Sequence, residues 1–301
     1  MGRLTAIVLG AAAGGGFPQW NCRCAVCRLA WARDNRVKPR TQASLAVSAD
    51  GAQWTLLNAS PDLRAQVLAN PLLQPQADTR GSPIAAVVLT GAEVDQVAGL
   101  LTLRERAPLH VFATAETIAT LAANPIFGVL ADDMVVRSAV ACERRFTLPG
   151  GLTAELFPVP GKVALYLEGE DPARAIESGV NVGIELTYEG RRLVFVPGAA
   201  GITAAVQVRL ARADVVCFDA TLFSDDELIA SGSGSKTGRR MGHLPLAGAG
   251  GTLAALGDIP GRRILIHINN TNPILIEGSA ERRQVEAAGF EVAEDGMEIA
   301  L

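Results

Sequence analysis

The stretch Ile84-Ala85-Ala86-Val87-Val88-Leu89-Thr90-Gly91-Ala92-Glu93-Val94-Asp95-Gln96-Val97-Ala98-Gly99-Leu100-Leu101-Thr102-Leu103-Arg104 decides the architecture. It opens with an apolar run too short for a helix and then changes to helical spacing, so it reads as a buried strand, a turn and a helix. Glu93, Asp95 and Gln96 fall where the strand ends and the helix begins, the place where open α/β sheets hold their ligands. Acids at a helix start also suit the helix dipole, a purely structural role for the same residues.

Outward from this stretch, strands alternate with helices. Thr5 to Leu9 reads as a first strand, and Ser44 to Ala49 with Trp54 to Asn58 as a hairpin around Asp50-Gly51. Ser60 caps a helix with Pro61 at its first position, and a strand from Leu109 to Ala113 precedes a helix from Ala115 to Asn124. His110 alternates with apolar neighbours and reads as a core residue. Phe146 to Lys162, Val182 to Tyr188 and Arg192 to Val196 form a strand-rich middle block. A strand from Ala213 to Phe218, helices from Asp225 to Ala230 and Leu244 to Leu256, a strand from Arg263 to His267 and a helix from Glu281 to Ala288 follow. The pattern predicts an α/β (α+β) fold, an αββα sandwich of two sheets flanked by helices.

At 301 residues, 49% hydrophobic and 19% charged, the chain can bury a sizeable core, and no Pro/Ser-rich linker divides it, so residues 1–301 read as a single domain. The net charge is −4 and the cations are scattered, which argues against nucleic acid as a partner. No apolar run reaches the length of a membrane span, and the brief apolar start reads as a strand rather than a signal peptide; a cytoplasmic protein is expected.

Five cysteines fit a disulfide scaffold badly, and three of them form Cys22-x-Cys24-x-x-Cys27. Three thiolates so close can converge on one tetrahedral ion, leaving a fourth ligand to come from elsewhere. Cys142 and Cys217 stand alone and read as core. The segment Ser231 to His243 is rich in glycine but is no P-loop, because Ala230 and Ser235 stand where that motif requires glycine. Lys236, Arg239 and Arg240 on it can close over an anionic substrate, the guanidinium groups suiting carboxylates; a solvated surface loop is the alternative.

The frame from Gly91 to Leu100 resembles the His-x-His-x-Asp-His-x-x-Gly-Leu signature of the metallo-β-lactamase superfamily, with Gly91, Glu93 and Gln96 standing at its histidines and Asp95 unchanged. The missing imidazoles make dizinc hydrolysis the least favoured chemistry. Five blocks resemble, together and from end to end, the coenzyme PQQ biosynthesis protein B family: Ala11 to Cys27, Leu57 to Asp62, Asp219 to Leu222, Met241 to Pro245, and His267 to Pro273. Relatives there commonly carry a histidine where Gln96 stands.

That resemblance implies a metallo-β-lactamase fold and a place in pyrroloquinoline quinone (PQQ) biosynthesis in a bacterial cytoplasm. The activity it implies is iron- and oxygen-dependent hydroxylation of the tyrosine ring of a Glu/Tyr-derived precursor. The alternative is a non-catalytic carrier of PQQ or an intermediate, in keeping with a transport role. The partners implied are the small peptide-derived precursor or PQQ, with a homodimer as the allowed assembly.

In the superfamily the motif meets an acid and histidines from later loops, so Asp219 and His243 are the expected partners of Glu93 and Asp95. Such a set, oxygen ligands plus one imidazole, suits ferrous iron better than zinc. For the cysteine knuckle, related phosphodiesterases take the fourth ligand from a histidine at the position of Asn270. With His110 in a strand and His243 given to the active site, His267 is the expected fourth ligand of a structural zinc on Cys22, Cys24 and Cys27. The rival reading returns His267 to the catalytic metal and gives the knuckle a water or another side chain.

Overall fold

A computed structural model describes residues 2–76, 79–167 and 179–301. Among these residues the strands form two sheets of seven. The first runs in the order β14 (Glu298–Ala300), β1 (Thr5–Gly10), β2 (Ser44–Ser48), β3 (Trp54–Leu57), β4 (Ile84–Val88), β5 (Leu109–Ala113), β6 (Val135–Ala139). The second runs β13 (Phe290–Val292), β12 (Arg262–Ile266), β11 (Val215–Asp219), β10 (Arg191–Val196), β9 (Val182–Tyr188), β8 (Thr153–Pro158), β7 (Arg145–Thr147). Both sheets are mixed: β3 to β6 are parallel and β14 to β3 antiparallel, while β10 to β13 are parallel and β7 to β10 antiparallel.

Side-chain alternation along the strands builds three apolar layers. Val8, Leu45 and Val88 of the first sheet meet Leu156, Ile184 and Phe195 of the second in the central layer. Val87 and Leu89 point the other way, toward Leu63 of α2 (Leu63–Ala69), Val97 of α3 (Val94–Val97) and Leu121 of α4 (Ala115–Ala123). On the far side, Val194, Val216 and Leu265 pack on Val206 of α5 (Ala204–Ala211), Leu256 of α7 (Thr252–Leu256) and Val285 of α8 (Ala280–Ala287). Central strands apolar on both faces are what a sheet covered by helices on one side and a second sheet on the other requires. The result is the expected αββα sandwich, two mixed sheets with flanking helices.

Several local expectations are corrected. Phe146 to Lys162 is a hairpin, not one strand, because Pro149 and the positive φ of Gly150 and Gly151 turn the chain between β7 and β8. Only Thr252–Leu256 of the helix expected from Leu244 forms; Gly248 and Gly250 take positive φ just before it. Ser60 does not cap α2 directly: Asp62 is the cap position, and Ser60 Oγ accepts from the Asp62 amide. The central helix shortens to α3 and continues as a 3-10 stretch to Leu103. There a Cβ on Gly99 would lie 2.2 Å from the Ser60 carbonyl, so the close crossing of the two segments demands glycine. His110 is a satisfied strand histidine, its Nε2 2.8 Å from Ser138 Oγ. No helix among the described residues is long and apolar enough to cross a membrane.

Candidate functional site

The C-terminal ends of β4, β11 and β12 bring Asp95, Asp219 and His267 to one rim. Asp219 closes β11 and is fully buried. Its Oδ2 accepts from the Ala199 amide at 3.0 Å and lies 2.7 Å from His243 Nδ1. Its Oδ1 accepts from the amide and the hydroxyl of Thr221, at 3.0 and 2.6 Å. The same hydroxyl is 3.0 Å from His243 Nδ1 and 2.8 Å from His267 Nδ1. His267 Nε2 lies 2.9 Å from Asp95 Oδ2, and the two imidazoles stack with centroids 5.3 Å apart. His267 holds φ at 59°, a left-handed conformation costly for a residue with a side chain, and both its ring nitrogens are engaged.

The electrostatics follow from burial. Burial alone would raise Asp219, but the adjacent His243 and His267 outweigh it and hold its carboxyl well below the usual range. Burial alone would lower His267, yet Asp219 and Asp95 carry it up to about 10. Asp95 is lowered because its bond to His267 overcomes burial. Glu93, by contrast, is raised, by burial first and by Asp95 as a like charge. Acids set around two imidazoles make a site that attracts positive charge, and ligand atoms of Asp219, His243 and His267 all lie within 4.8 Å of one another. Glu93, Asp95, His243 and His267 line a cavity of about 430 Å³ that Lys162 and Lys236 also line.

The structure accounts for the missing histidines of the superfamily signature. Gln96 Oε1 accepts from the Glu93 amide at 3.1 Å, tying the start of α3. A Cβ on Gly91 would lie 2.6 Å from that oxygen and 3.1 Å from the Val180 carbonyl, so a side chain there would have to displace the Gln96 amide.

The three cysteines gather as expected, with sulfurs within 4.8 Å of one another. Cys24 sits at the start of α1 (Ala25–Trp31), and its sulfur accepts from the Cys27 amide. The hydrogen bond with the Cys27 thiol is the largest influence bringing Cys24 down to about 5, against burial, while sharing that bond pushes Cys27 up. His267 does not complete this knuckle. Its ring faces Asp95 and Thr221, and the side chain beside the sulfurs is Asn270, whose Nδ2 lies 3.1, 3.8 and 3.3 Å from Cys22, Cys24 and Cys27. The reason is the backbone reversal at His267, which turns the two ends of one short loop toward different sites.

The expectation for Arg239 and Arg240 is also corrected. Both are exposed, outside the cavity lining, on a helical turn whose first amide is held by Asp225. Of the cations on that loop, Lys236 lines the cavity. Sequence reasoning missed Thr221 and Lys162; Thr221 stands two residues past Asp219 in a block already singled out, which was the available signal.

Residues 53–268 match the Beta-lactamase superfamily domain. The chain is 53% identical to Coenzyme PQQ synthesis protein B of Methylobacterium nodulans, over 99% of this chain and 100% of that protein. Among solved structures it is similar to Zn(2+)-bound PqqB from Methylobacterium extorquens, with a TM-score of 0.97 and 50% identity over 99% of this chain and 100% of that one. A diphosphatase from the PhnP family shares the fold at a TM-score of 0.69 and 21% identity, covering 99% and 97% of the two chains.

Proposed function

We propose that this chain, which belongs to the coenzyme PQQ synthesis protein B family within the beta-lactamase superfamily and so serves PQQ biosynthesis, is an enzyme that hydroxylates the tyrosine ring of a small Glu/Tyr-derived precursor. The observation that carries this reading is the donor set: two imidazoles, His243 and His267, gathered with the carboxylates of Asp95 and Asp219 beside an open cavity. Two histidines with carboxylate suit ferrous iron in oxygenases. Gly91 and Gln96 withhold the imidazoles of a second ion, which speaks against a hydrolytic pair.

Ferrous iron held by these residues supplies the redox capacity that dioxygen requires and zinc lacks. The chain does the rest. Asp219 and Thr221 orient the imidazoles, and the cavity holds the ring beside them. In the reaction an aromatic C–H becomes C–OH with one atom of dioxygen. The other atom leaves as water, taking two protons and two electrons from an external two-electron donor.

The knuckle is the place for zinc, since three thiolates suit it and the similar protein from Methylobacterium extorquens is zinc-bound. The side chain that stands beside the three sulfurs is Asn270, whose Nδ2 donates to them, rather than His267. To test the activity, protein is incubated without air with ferrous iron, a reductant and a Glu-Tyr peptide, and air is then admitted. The expected product carries one added oxygen by mass; equal product without iron or without oxygen overturns the reading. Tight PQQ binding with no turnover under any metal moves the function to a carrier.

A further inference from the structure

We propose that Asn181 is a specificity-determining residue of this cavity, its side-chain oxygen accepting a hydrogen bond from the substrate's phenol hydroxyl in a niche over Gly198 beside His243. The inference rests on the proposed tyrosine-ring substrate and adds the residue that tells its hydroxyl from a bare ring.

The niche is built from backbone. Asn181 stands just ahead of β9, and its Nδ2 donates to the Val159 carbonyl at 3.3 Å and to the Gly198 carbonyl at 3.0 Å. An amide oxygen turned toward those two acceptors would be repelled, so the side chain has one allowed orientation, nitrogen to the backbone and oxygen away from it. Gly161 makes this fit possible, because a Cβ there would lie 2.3 Å from Nδ2. No donor among the described residues meets Oδ1, and Gly161, Asn181, Gly198 and His243 all line the cavity. Oδ1 borders the space over Gly198: a Cβ on that glycine would lie 3.8 Å from Oδ1 and 3.6 Å from His243 Cε1. The bare glycine thus leaves a gap of atomic size between an acceptor and the edge of an imidazole.

This gap is tied to the acid–histidine cluster. The amide of Ala199, next to Gly198, donates to Asp219 Oδ2 at 3.0 Å, and the same oxygen lies 2.7 Å from His243 Nδ1. The Ala200 amide donates to the Pro160 carbonyl, and the Leu244 amide to the Ala199 carbonyl. The turn after β10 and the loop between α6 (Glu227–Ala230) and α7 that carries His243 are therefore fixed to each other, and the niche is preformed.

An amide oxygen with an open lone pair suits a neutral donor, and a phenol hydroxyl is one that makes short bonds. Electron release from a phenol oxygen makes the ring carbons beside it the reactive ones in hydroxylation, so holding that oxygen beside His243 holds such a carbon at the rim of the imidazole pair. A bare phenyl ring entering the same way leaves Oδ1 desolvated and unpaired, the usual source of discrimination for a substrate hydroxyl.

The test measures binding without oxygen and without added iron, so it is independent of hydroxylation. Affinities of glutamyl-tyrosine and glutamyl-phenylalanine, which differ only in the hydroxyl, are measured by calorimetry on the wild-type protein as purified, on Asn181→Ala and on Gly198→Ala. Wild type is expected to bind glutamyl-tyrosine about tenfold more tightly. Asn181→Ala should lose that preference by weakening glutamyl-tyrosine alone. Gly198→Ala meets its neighbours at ordinary contact distances and leaves the anchoring bonds of Asn181 in place, and it should lose the preference too, by filling the niche. It decides the matter where Asn181→Ala does not match wild type in circular dichroism and zinc content. Equal wild-type affinities, no wild-type binding, or a preference retained in either folded variant overturns the proposal. If the preference behaves as expected while no hydroxylated product forms, the role of Asn181 stands and the hydroxylase reading falls; product formation with the preference unchanged in both variants does the opposite.

Discussion

The cysteine knuckle and the acid–histidine cluster are built in opposite ways and share one loop. The knuckle takes three ligand-type side chains from residues 22–27, a span the chain brings together with one turn and the start of α1. The cluster takes its members from α3, the end of β11, the loop ahead of α7 and the turn after β12, and the Asp95 to His267 contact joins residues 172 positions apart. Between them runs the segment after β12: His267 turns to the cluster, Asn270 to the sulfurs, and the Asn269 amide donates to the Thr221 carbonyl. A local site is a property of a few residues, whereas a long-range site is a property of the fold. The shared loop makes the two sites separable only by substitution.

The largest expected effect comes from breaking the local site. Cys27 is fully buried, and Cys27→Ser replaces a soft ligand by a hard hydroxyl. Zinc should leave, and stability should fall by on the order of 5 kcal/mol, less than the ~10–16 kcal/mol zinc gives a finger with no core of its own. His267→Ala should do the reverse, keeping zinc while turnover drops more than about 100-fold. Zinc loss in His267→Ala would return that histidine to the knuckle.

Next in size is a pH effect at the joint between the two regions. Glu227 is buried, accepting from Thr271 Oγ1 at 2.5 Å and from the Phe223 amide at 2.7 Å, so it pins the residue next to Asn270. Burial raises its pKa from the ordinary 4.5 to about 7, against these hydrogen bonds. A carboxyl raised on folding gives a contribution fully present below the unfolded value and lost as pH rises through the folded one. Wild type should therefore lose about 3 kcal/mol relative to Glu227→Gln between pH 4.5 and 8. Urea midpoints at the two ends measure it; parallel behaviour of the two proteins would mean that Glu227 does not titrate in this range.

Much of this was legible in the chain, and the rest was not for physical reasons. The parallel strands announced themselves by unbroken apolar runs, as in Ile84 to Leu89, because both faces are covered. The edge strands β6 and β14 did not, since Val136 and both end residues of β14 are exposed and carry no continuous apolar signal. Cys22, Cys24 and Cys27 were readable from spacing alone. His267 was misassigned because the choice depends on which way one residue with positive φ turns its ring, a fact no periodicity encodes. Thr221 was passed over for a related reason: a threonine two residues after a strand has many uses, and only the meeting of two histidines on its hydroxyl gives it this one.

That hydroxyl sharpens the long-range half of the comparison. Thr221→Val keeps shape and removes the group that contacts both Nδ1 atoms and Asp219. If the cluster holds iron as proposed, iron affinity and turnover should fall about 10–100-fold, the usual cost of losing a residue that orients metal-binding imidazoles. Thr221→Ser should recover most of it, and knuckle zinc should be untouched in both. Equal losses in Val and Ser would mean that the methyl packing, not the hydroxyl, matters.

The smallest effect is expected where the sequence placed a clamp and the structure does not. Lys236, Arg239 and Arg240 look like one basic cluster along the chain, and carboxylate chemistry would favour the arginines. In the fold the chain makes a helical turn at Arg239–Met241, anchored through the Arg239 amide to Asp225, and leaves both guanidinium groups exposed while Met241 and His243 face the cavity. Charges so placed act on the substrate only through solvent, where screening leaves exposed pairs worth at most about 1 kcal/mol. The double variant Arg239→Ala/Arg240→Ala should therefore keep kcat/KM within about threefold and stability within roughly 0.5 kcal/mol of wild type. A loss as large as that of Thr221→Val would show that this loop closes over the substrate after all and carries its arginines into the cavity.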